Sequence, residues 1–213
     1  LYSEPDRYSR LFELIHRHKK VAVQGSNLSP ALSSVSEQGI TVNLCSFNRV
    51  LDFNPNENTI TVEPGIKIGE LLEFLFKSKK WLAVSPGHPN ISIGGCASHN
   101  IHGKGSGYFR DLVLNIDVFH PLYGEVSCSE KNNPELFELT VGGLGATGLM
   151  TAITLKVEEL KGRSITHRKI PCMNIEDAVN MFEKFSSEKK HLIYSWNDFR
   201  STRRDFFGKG FIY

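Results

Sequence analysis

Between Ser85 and Gly107 the chain carries Gly87, Gly94, Gly95, Gly103, Gly105 and Gly107, interleaved with His88, Asn90, His99 and His102. An irregular stretch of this length is uncommon inside a compact domain and tends to carry function. Glycine this dense implies backbone brought close to something, the core or a ligand. A second cluster follows, and its Gly143-Leu144-Gly145-Ala146-Thr147-Gly148 fits the GxGxxG spacing. The Rossmann form of that motif needs a strand before it and a helix after it. Here the pattern predicts a short helix before it, over Pro134–Leu139, and an alternating strand after it, over Leu149–Val157. A glycine-rich turn serving close backbone approach fits that context better.

The segments around the glycines alternate between helical and strand periods. Tyr8, Leu11, Phe12, Leu14 and Ile15 recur at helical spacing between Pro5 and His18, with Ser3 placed as a cap. Val21-Ala22-Val23 reads as a buried strand ending in the small, polar loop Gln24–Pro30, and Thr41–Leu44 as a second strand. Val50–Phe53 and Thr59–Val62 flank turn formers and read as a hairpin closed by Pro64-Gly65; a helix follows on Ile68, Leu71, Leu72, Leu75 and Phe76. Leu112–Phe119 and Glu125–Ser127 form another hairpin. Glu158–Arg163 is the nearest thing to a linker, so the expected domains are 1–158 and 159–213. The second is expected to hold a strand (Ser164–Ile170), a helix (Ile175–Phe185), a strand (Leu192–Trp196) and a basic, aromatic tail from Arg203 to Gly210. A lone βαβ unit cannot easily cover both faces of its sheet, so this unit reads as incomplete.

Composition removes several function classes. A net charge of +2 over 213 residues gives no single-sign field for phosphate backbones or anionic lipid, which argues against nucleic acid and membrane surfaces as partners. Cys45, Cys96, Cys128 and Cys172 lie far apart without CxxC spacing, so neither a zinc site nor a redox pair is expected. Free thiols suit a reducing compartment, and the expected location is cytoplasmic. No apolar run approaches the roughly 18–20 residues that span a bilayer. The first residue is not methionine, consistent with a piece of something longer. Gly103-Lys104 lacks the following Ser or Thr of a phosphate loop, His99 and His102 lack a third ligand for a metal, and neither Ser29 nor Ser98 stands in a GxSxG elbow. Backbone amides of the loop at Gly25, helped by hydroxyls such as Ser26 and Ser29, suit a diphosphate without needing many cations.

Three elements in order carry a resemblance: the loop Gln24–Pro30; Pro86-Gly87-His88-Pro89-Asn90-Ile91-Ser92-Ile93-Gly94-Gly95; and Glu135-Leu136-Phe137 with Gly142–Gly148. Over roughly residues 10–158 the chain resembles the FAD-binding domain of the vanillyl-alcohol-oxidase (PCMH-type) family. Ile101-His102-Gly103-Lys104, Phe109 and Ser195-Trp196-Asn197-Asp198 are similar to the decaprenylphosphoryl-ribose oxidase branch, near the aldonolactone oxidases. The resemblance implies an α+β class: a PCMH-type fold of two α/β subdomains, then the start of an α+β substrate domain. It implies FAD as cofactor and a sugar, polyol or sugar-lipid as substrate, with oxidation of a hydroxyl by hydride transfer. It also implies roles. Gly25, Ser26, Asn27, Leu28 and Ser29 would cradle the diphosphate, and Pro86, Gly87, Ile93, Gly94 and Gly95 would run backbone along diphosphate and isoalloxazine. Ala97, Ser98, His102 and Gly103 would approach the flavin ring, and Ala146, Gly148 and Ile153 the adenosine side. Lys104 and His102 would stand nearest the chemistry. The first loop offers no histidine, so a covalent bond through it is excluded; His99 is the imidazole that the resemblance places beside the flavin.

Overall fold

The computed structural model describes residues 1–29, 34–103, 107–162, 166–187 and 192–213. The chain divides into two compact units, Leu1–Gly103 with Gly107–Leu160, and Lys161–Tyr213.

The first unit opens on a short strand, β1 (Tyr2–Ser3), and not on a cap. The Leu1 carbonyl accepts from Thr41 N at 2.9 Å and draws Tyr2 and Ser3 into parallel register with Thr41 and Val42. Helix α1 (Tyr8–Arg17) therefore starts after Arg7, which makes no side-chain cap bond, and buries Leu11, Leu14 and Ile15, one stripe at 3.6-residue period. β2 (Val21–Gln24) pairs with β3 (Ile40–Asn43), giving a three-stranded parallel sheet of order β1-β3-β2. β3 is central and buried along its whole length, as a strand covered on both faces must be.

β4 (Val50–Asn54) and β5 (Thr59–Val62) form the expected hairpin, and α2 (Ile68–Lys77) buries Ile68, Leu71 and Leu75. Two residues beyond α2 the chain forms β6 (Lys80–Trp81). A helix, α3 (Ile93–Ser98), lies inside the stretch whose glycines suggested irregular backbone. Glycine in a helix is unfavourable, and packing explains it: a Cβ on Gly94 would stand 2.9 Å from Pro64 Cβ. β7 (Val113–His120), β8 (Gly124–Cys128), α4 (Pro134–Thr140) and β9 (Leu149–Lys156) complete a five-stranded antiparallel sheet of order β4-β5-β9-β7-β8. Residues read as linker instead form β10 (Glu158–Glu159), which pairs with β6. Buried Lys80 holds the pairing, its Nζ donating to Asn58 Oδ1 at 2.6 Å and reaching Glu159 at 3.4 Å.

Two apolar clusters result. The larger joins α2, α3 and α4 to the five-stranded sheet through Leu71, Ala97, Phe137, Ile116 and Ile153. The smaller joins α1 and the parallel sheet to Phe119 and Leu149 of the larger sheet. Burying each such Leu or Ile contributes about 1.5–3 kcal/mol.

In the second unit, β11 (Ile170–Cys172), α5 (Ile175–Ser186), β12 (Ser195–Asp198) and β13 (Lys209–Ile212) form a sheet of order β11-β13-β12. β11 and β12 both run antiparallel to β13, so the expected βαβ connectivity holds, but its two strands are split by β13. Residues 163–165 lie outside the described residues, and the strand expected from Ser164 begins only at Ile170. The segment read as a tail supplies the central strand of the sheet. Alternation in Lys209-Gly210-Phe211-Ile212 is masked by glycine, which the close approach of β12 requires: a Cβ on Gly210 would stand 1.9 Å from Trp196 O. Among the described residues, no helix is long and apolar enough to cross a membrane.

Candidate functional site

Where the parallel sheet meets the larger sheet, the first unit contains a cavity of about 270 Å³. That volume sits at the lower edge of ordinary ligand pockets, about 300–1,000 Å³.

One wall is the loop that leaves β2. Buried amides fix its path: Asn43 Nδ2 donates to Gln24 Oε1 at 3.3 Å and to Gly25 O at 3.2 Å, and Gln24 Nε2 donates to Asn27 Oδ1 at 3.2 Å. Asn27 lies in the left-handed region, φ 54°, which asparagine tolerates. Among the described residues, no hydrogen bond occupies the backbone N–H groups of Ser26, Asn27 and Leu28. Ser26 Oγ is buried with no oxygen or nitrogen partner. Burial pushes the neighbouring Cys45 thiol up, so it stays protonated beside that hydroxyl.

α3 forms the opposite wall. Ser92 caps it, its Oγ accepting from Gly95 N at 3.3 Å. Ile93 N donates to Ile66 O at 2.9 Å and Gly94 N to Pro64 O at 2.8 Å. The first-turn amides of α3 are therefore taken by protein acceptors, which leaves the loop at 26–28 as the source of unused donors. The two walls touch at glycine, since a Cβ on Gly25 would lie 2.1 Å from Ser92 Oγ.

The turn before β9 forms a third wall. Gly142 N donates to Ala97 O at 2.9 Å and Leu144 N to Ser98 O at 3.0 Å, which pins the turn to the end of α3. Leu144 and Gly145 have φ of 54° and 82°. Gly148 must be glycine for another reason: a Cβ there would stand 2.7 Å from Phe119 O. His99 ends α3 at the cavity, with Nδ1 3.2 Å from Gly95 O and 3.2 Å from Ser98 Oγ, and Nε2 3.4 Å from Ser29 Oγ. A proton on Nδ1 shared with the carbonyl leaves Nε2 as an acceptor on the Ser29 side.

Of the residues expected at a site, the cavity gathers Gly25, Ser26, Asn27, Leu28, Ser29, Gly94, Gly95, Ser98 and Gly148. It does not gather the rest. The side chains of Ile93, Ala97 and Ile153 are 0% exposed and belong to the core. Pro86, Gly87 and Ala146 lie on loops and are not part of the lining, Gly87 and Ala146 being exposed. His102 is exposed in an isolated bridge with Tyr108, and Gly103 lays its backbone on that of Ser85. Lys104 lies outside the described residues. Pro64, Ser92, Leu144 and Met150 also line the cavity and went unassigned in the sequence. Pro64-Gly65 reads only as a turn, and nothing local signals that Pro64 faces a cavity.

Residues 4–126 match the family model described as FAD binding domain. The chain belongs to that family. The chain has the PCMH-type α+β fold, and it superposes with a TM-score of 0.77 on a solved alkyldihydroxyacetonephosphate synthase at 18% identity, covering 92% of this chain and 38% of that one. It is 28% identical over 186 residues to L-galactono-1,4-lactone dehydrogenase 2, mitochondrial, of Oryza sativa subsp. japonica, covering 86% of this chain and 31% of that protein. It is 27% identical over 124 residues to decaprenylphosphoryl-beta-D-ribose oxidase of Mycolicibacterium smegmatis, covering 56% of this chain and 27% of that protein. The chain thus spans about a third, or less, of the length of these curated relatives.

The chemistry of the cavity suits the diphosphate-bearing part of its family's cofactor. Three unused amides and a buried hydroxyl without an oxygen or nitrogen partner on one loop would suit an anion, and small residues on the facing walls would admit a flat group close to backbone. No lysine or arginine lines the cavity among the described residues, so the loop would neutralise a diphosphate with dipoles.

Proposed function

We propose that the chain is the FAD-holding part of an oxidoreductase that oxidises a hydroxyl of a sugar, polyol or sugar-lipid, with the flavin bound non-covalently. The observation that carries this is the nest at Ser26–Leu28, with its three unused N–H groups and a buried Ser26 hydroxyl that has no oxygen or nitrogen partner, facing glycine-walled backbone. Bound FAD would supply the acceptor for a hydride leaving a carbon that bears a hydroxyl. Gly25 through Ser29 would hold the diphosphate by N–H and hydroxyl donation. The backbones of Gly94, Gly95 and Gly148 would admit the cofactor, and Ser98 and His99 would offer hydrogen bonds at the cavity rim. On the substrate side, Lys104 is assigned to binding the substrate oxygen and His102 to accepting the hydroxyl proton. Relatives named for 1,4-lactones and for decaprenylphosphoryl ribose support a sugar-like donor. The free thiols support a reducing, cytoplasmic compartment.

Reconstitution with FAD tests the reading. The protein should turn yellow and release all its flavin on acid denaturation; flavin retained in the precipitate would overturn the non-covalent assignment. Anaerobic bleaching by an aldonolactone or a sugar would establish turnover. Stable colour without bleaching by any donor would leave a FAD-binding module without activity of its own.

A further inference from the structure

The cavity lies on a seam between α1 with the parallel sheet on one side and the antiparallel sheet on the other, and one buried carboxylate spans that seam. Glu63 closes β5 and its side chain is 0% exposed. Its Oε1 accepts from Arg49 Nη2 at 2.7 Å and from the Tyr8 hydroxyl at 3.0 Å. Its Oε2 accepts from Arg49 N at 2.8 Å and Arg49 Nε at 3.1 Å. The Tyr8 hydroxyl shares its single proton with Thr151 O on β9, 3.1 Å away. A side chain of α1 thus reaches the end of β5 and the central strand β9 at once. The residues adjoining its two acceptors, Pro64 after Glu63 and Met150 before Thr151, both line the cavity. Gly65 N donates to Phe47 O at 2.7 Å just beyond, and a Cβ on Gly65 would collide with Leu44 O at 2.0 Å, with Leu44 itself in the lining. The apolar part of the seam, where Phe12 stacks on Phe119 at 4.1 Å, carries no such direction.

We infer that Tyr8, Glu63 and Arg49 form a polar latch that sets the spacing of the cavity walls, which makes Glu63 and Tyr8 positioning residues for the cofactor. This rests on the FAD reading of the cavity. Hydrogen bonds fix distance and angle where apolar contacts allow sliding, and a buried charge already satisfied by a two-pronged guanidinium, an amide and a phenol has one arrangement that satisfies all of them. Without the phenol, α1 stays docked by Leu11, Leu14 and Ile15, but the loop wall and the sheet wall lose their common reference.

The test compares FAD dissociation constants by flavin-fluorescence quenching with the melting temperature of the cofactor-free protein, for the 213-residue chain and three variants. Tyr8→Phe, which keeps the ring and its packing on Phe47, is expected to weaken FAD at least tenfold and to change the visible circular dichroism of the bound flavin. Leu14→Ala is expected to lower the melting temperature as much or more while leaving FAD affinity within twofold at a temperature where both are folded. Gly25→Val should abolish binding and so locate the site. If the parent chain binds FAD, Gly25→Val does not, and Tyr8→Phe matches the parent within twofold, the latch is wrong and the site stands. Equal weakening by Leu14→Ala and Tyr8→Phe in proportion to lost stability also overturns it. Failure of the parent chain to bind FAD, or full binding by Gly25→Val, overturns the site reading and the latch with it.

Discussion

Glycines that look alike in the sequence face different neighbours, and this sets what substitution does. Gly65→Ala would drive a Cβ to 2.0 Å from Leu44 O and 2.7 Å from Phe47 O, both backbone atoms that cannot rotate away. It is expected to cost about 3 kcal/mol or more, at the top of the range for overpacking. Gly145→Ala meets nothing within 4 Å and suffers only its φ of 82°, about 1–2 kcal/mol. Urea unfolding of the two variants reads the contrast, and equal losses would refute it. The first loop stands out in the sequence only together with the two later glycine segments, since small polar residues after a buried strand serve a plain connection equally well. Ile93, Ala97 and Ile153 bury their side chains, so any part they take at the cofactor would be played by backbone; adjacency in a motif says nothing of which face a side chain takes. α3 and β9 turn all three into the core.

Elements were legible where an apolar stripe was long enough to show its period. α1, α2 and α5, and the strands of the two hairpins, fall within a few residues of their expected bounds. Two-residue strands such as β1, β6 and β10 have no period to read, and they exist only because a partner elsewhere in the chain offers a free edge. α3 was hidden by its glycines, which packing against Pro64 selects and helix propensity opposes. Caps give a cleaner handle. Asn174 Oδ1 accepts from Asp177 N at 2.9 Å at the start of α5, so Asn174→Ala is expected to lose about 1 kcal/mol. Because α5 belongs to the second compact unit, hydrogen exchange should quicken there and not in β5, β7 or β9. Equal quickening in both units would contradict that independence.

For the whole molecule, stability should carry the mark of the Tyr8–Glu63–Arg49 cluster at both ends of the pH scale. Burial pushes the Glu63 carboxyl up, but the Arg49 guanidinium and amide and the Tyr8 hydroxyl outweigh it and hold it below its ordinary value of 4.5. Its contribution is thus complete above about pH 4.5 and fades as pH falls through the lowered value. Burial and the adjacent Glu63 raise the Tyr8 phenol above its ordinary 10.0, so its contribution is complete below pH 10.0 and is lost as pH climbs beyond it. Glu63→Gln should flatten the acid limb of unfolding free energy against pH and cost about 1.5–3 kcal/mol near neutrality, the range for a hydrogen bond to a charged group. An unchanged acid limb would show that other carboxylates govern it. The order of strands in the antiparallel sheet has a further consequence, in time. β4 with β5 and β7 with β8 can each zip locally, but β9 is the strand that joins the two ribbons, and it pairs Val62 with Ile153 and Phe119 with Leu149. During synthesis the two ribbons must wait, edges bare, until residue 156 has left the ribosome. Only then do Gly148 and Met150 arrive to close the third wall, so a nascent chain has no complete cofactor cradle before its last core strand is in place.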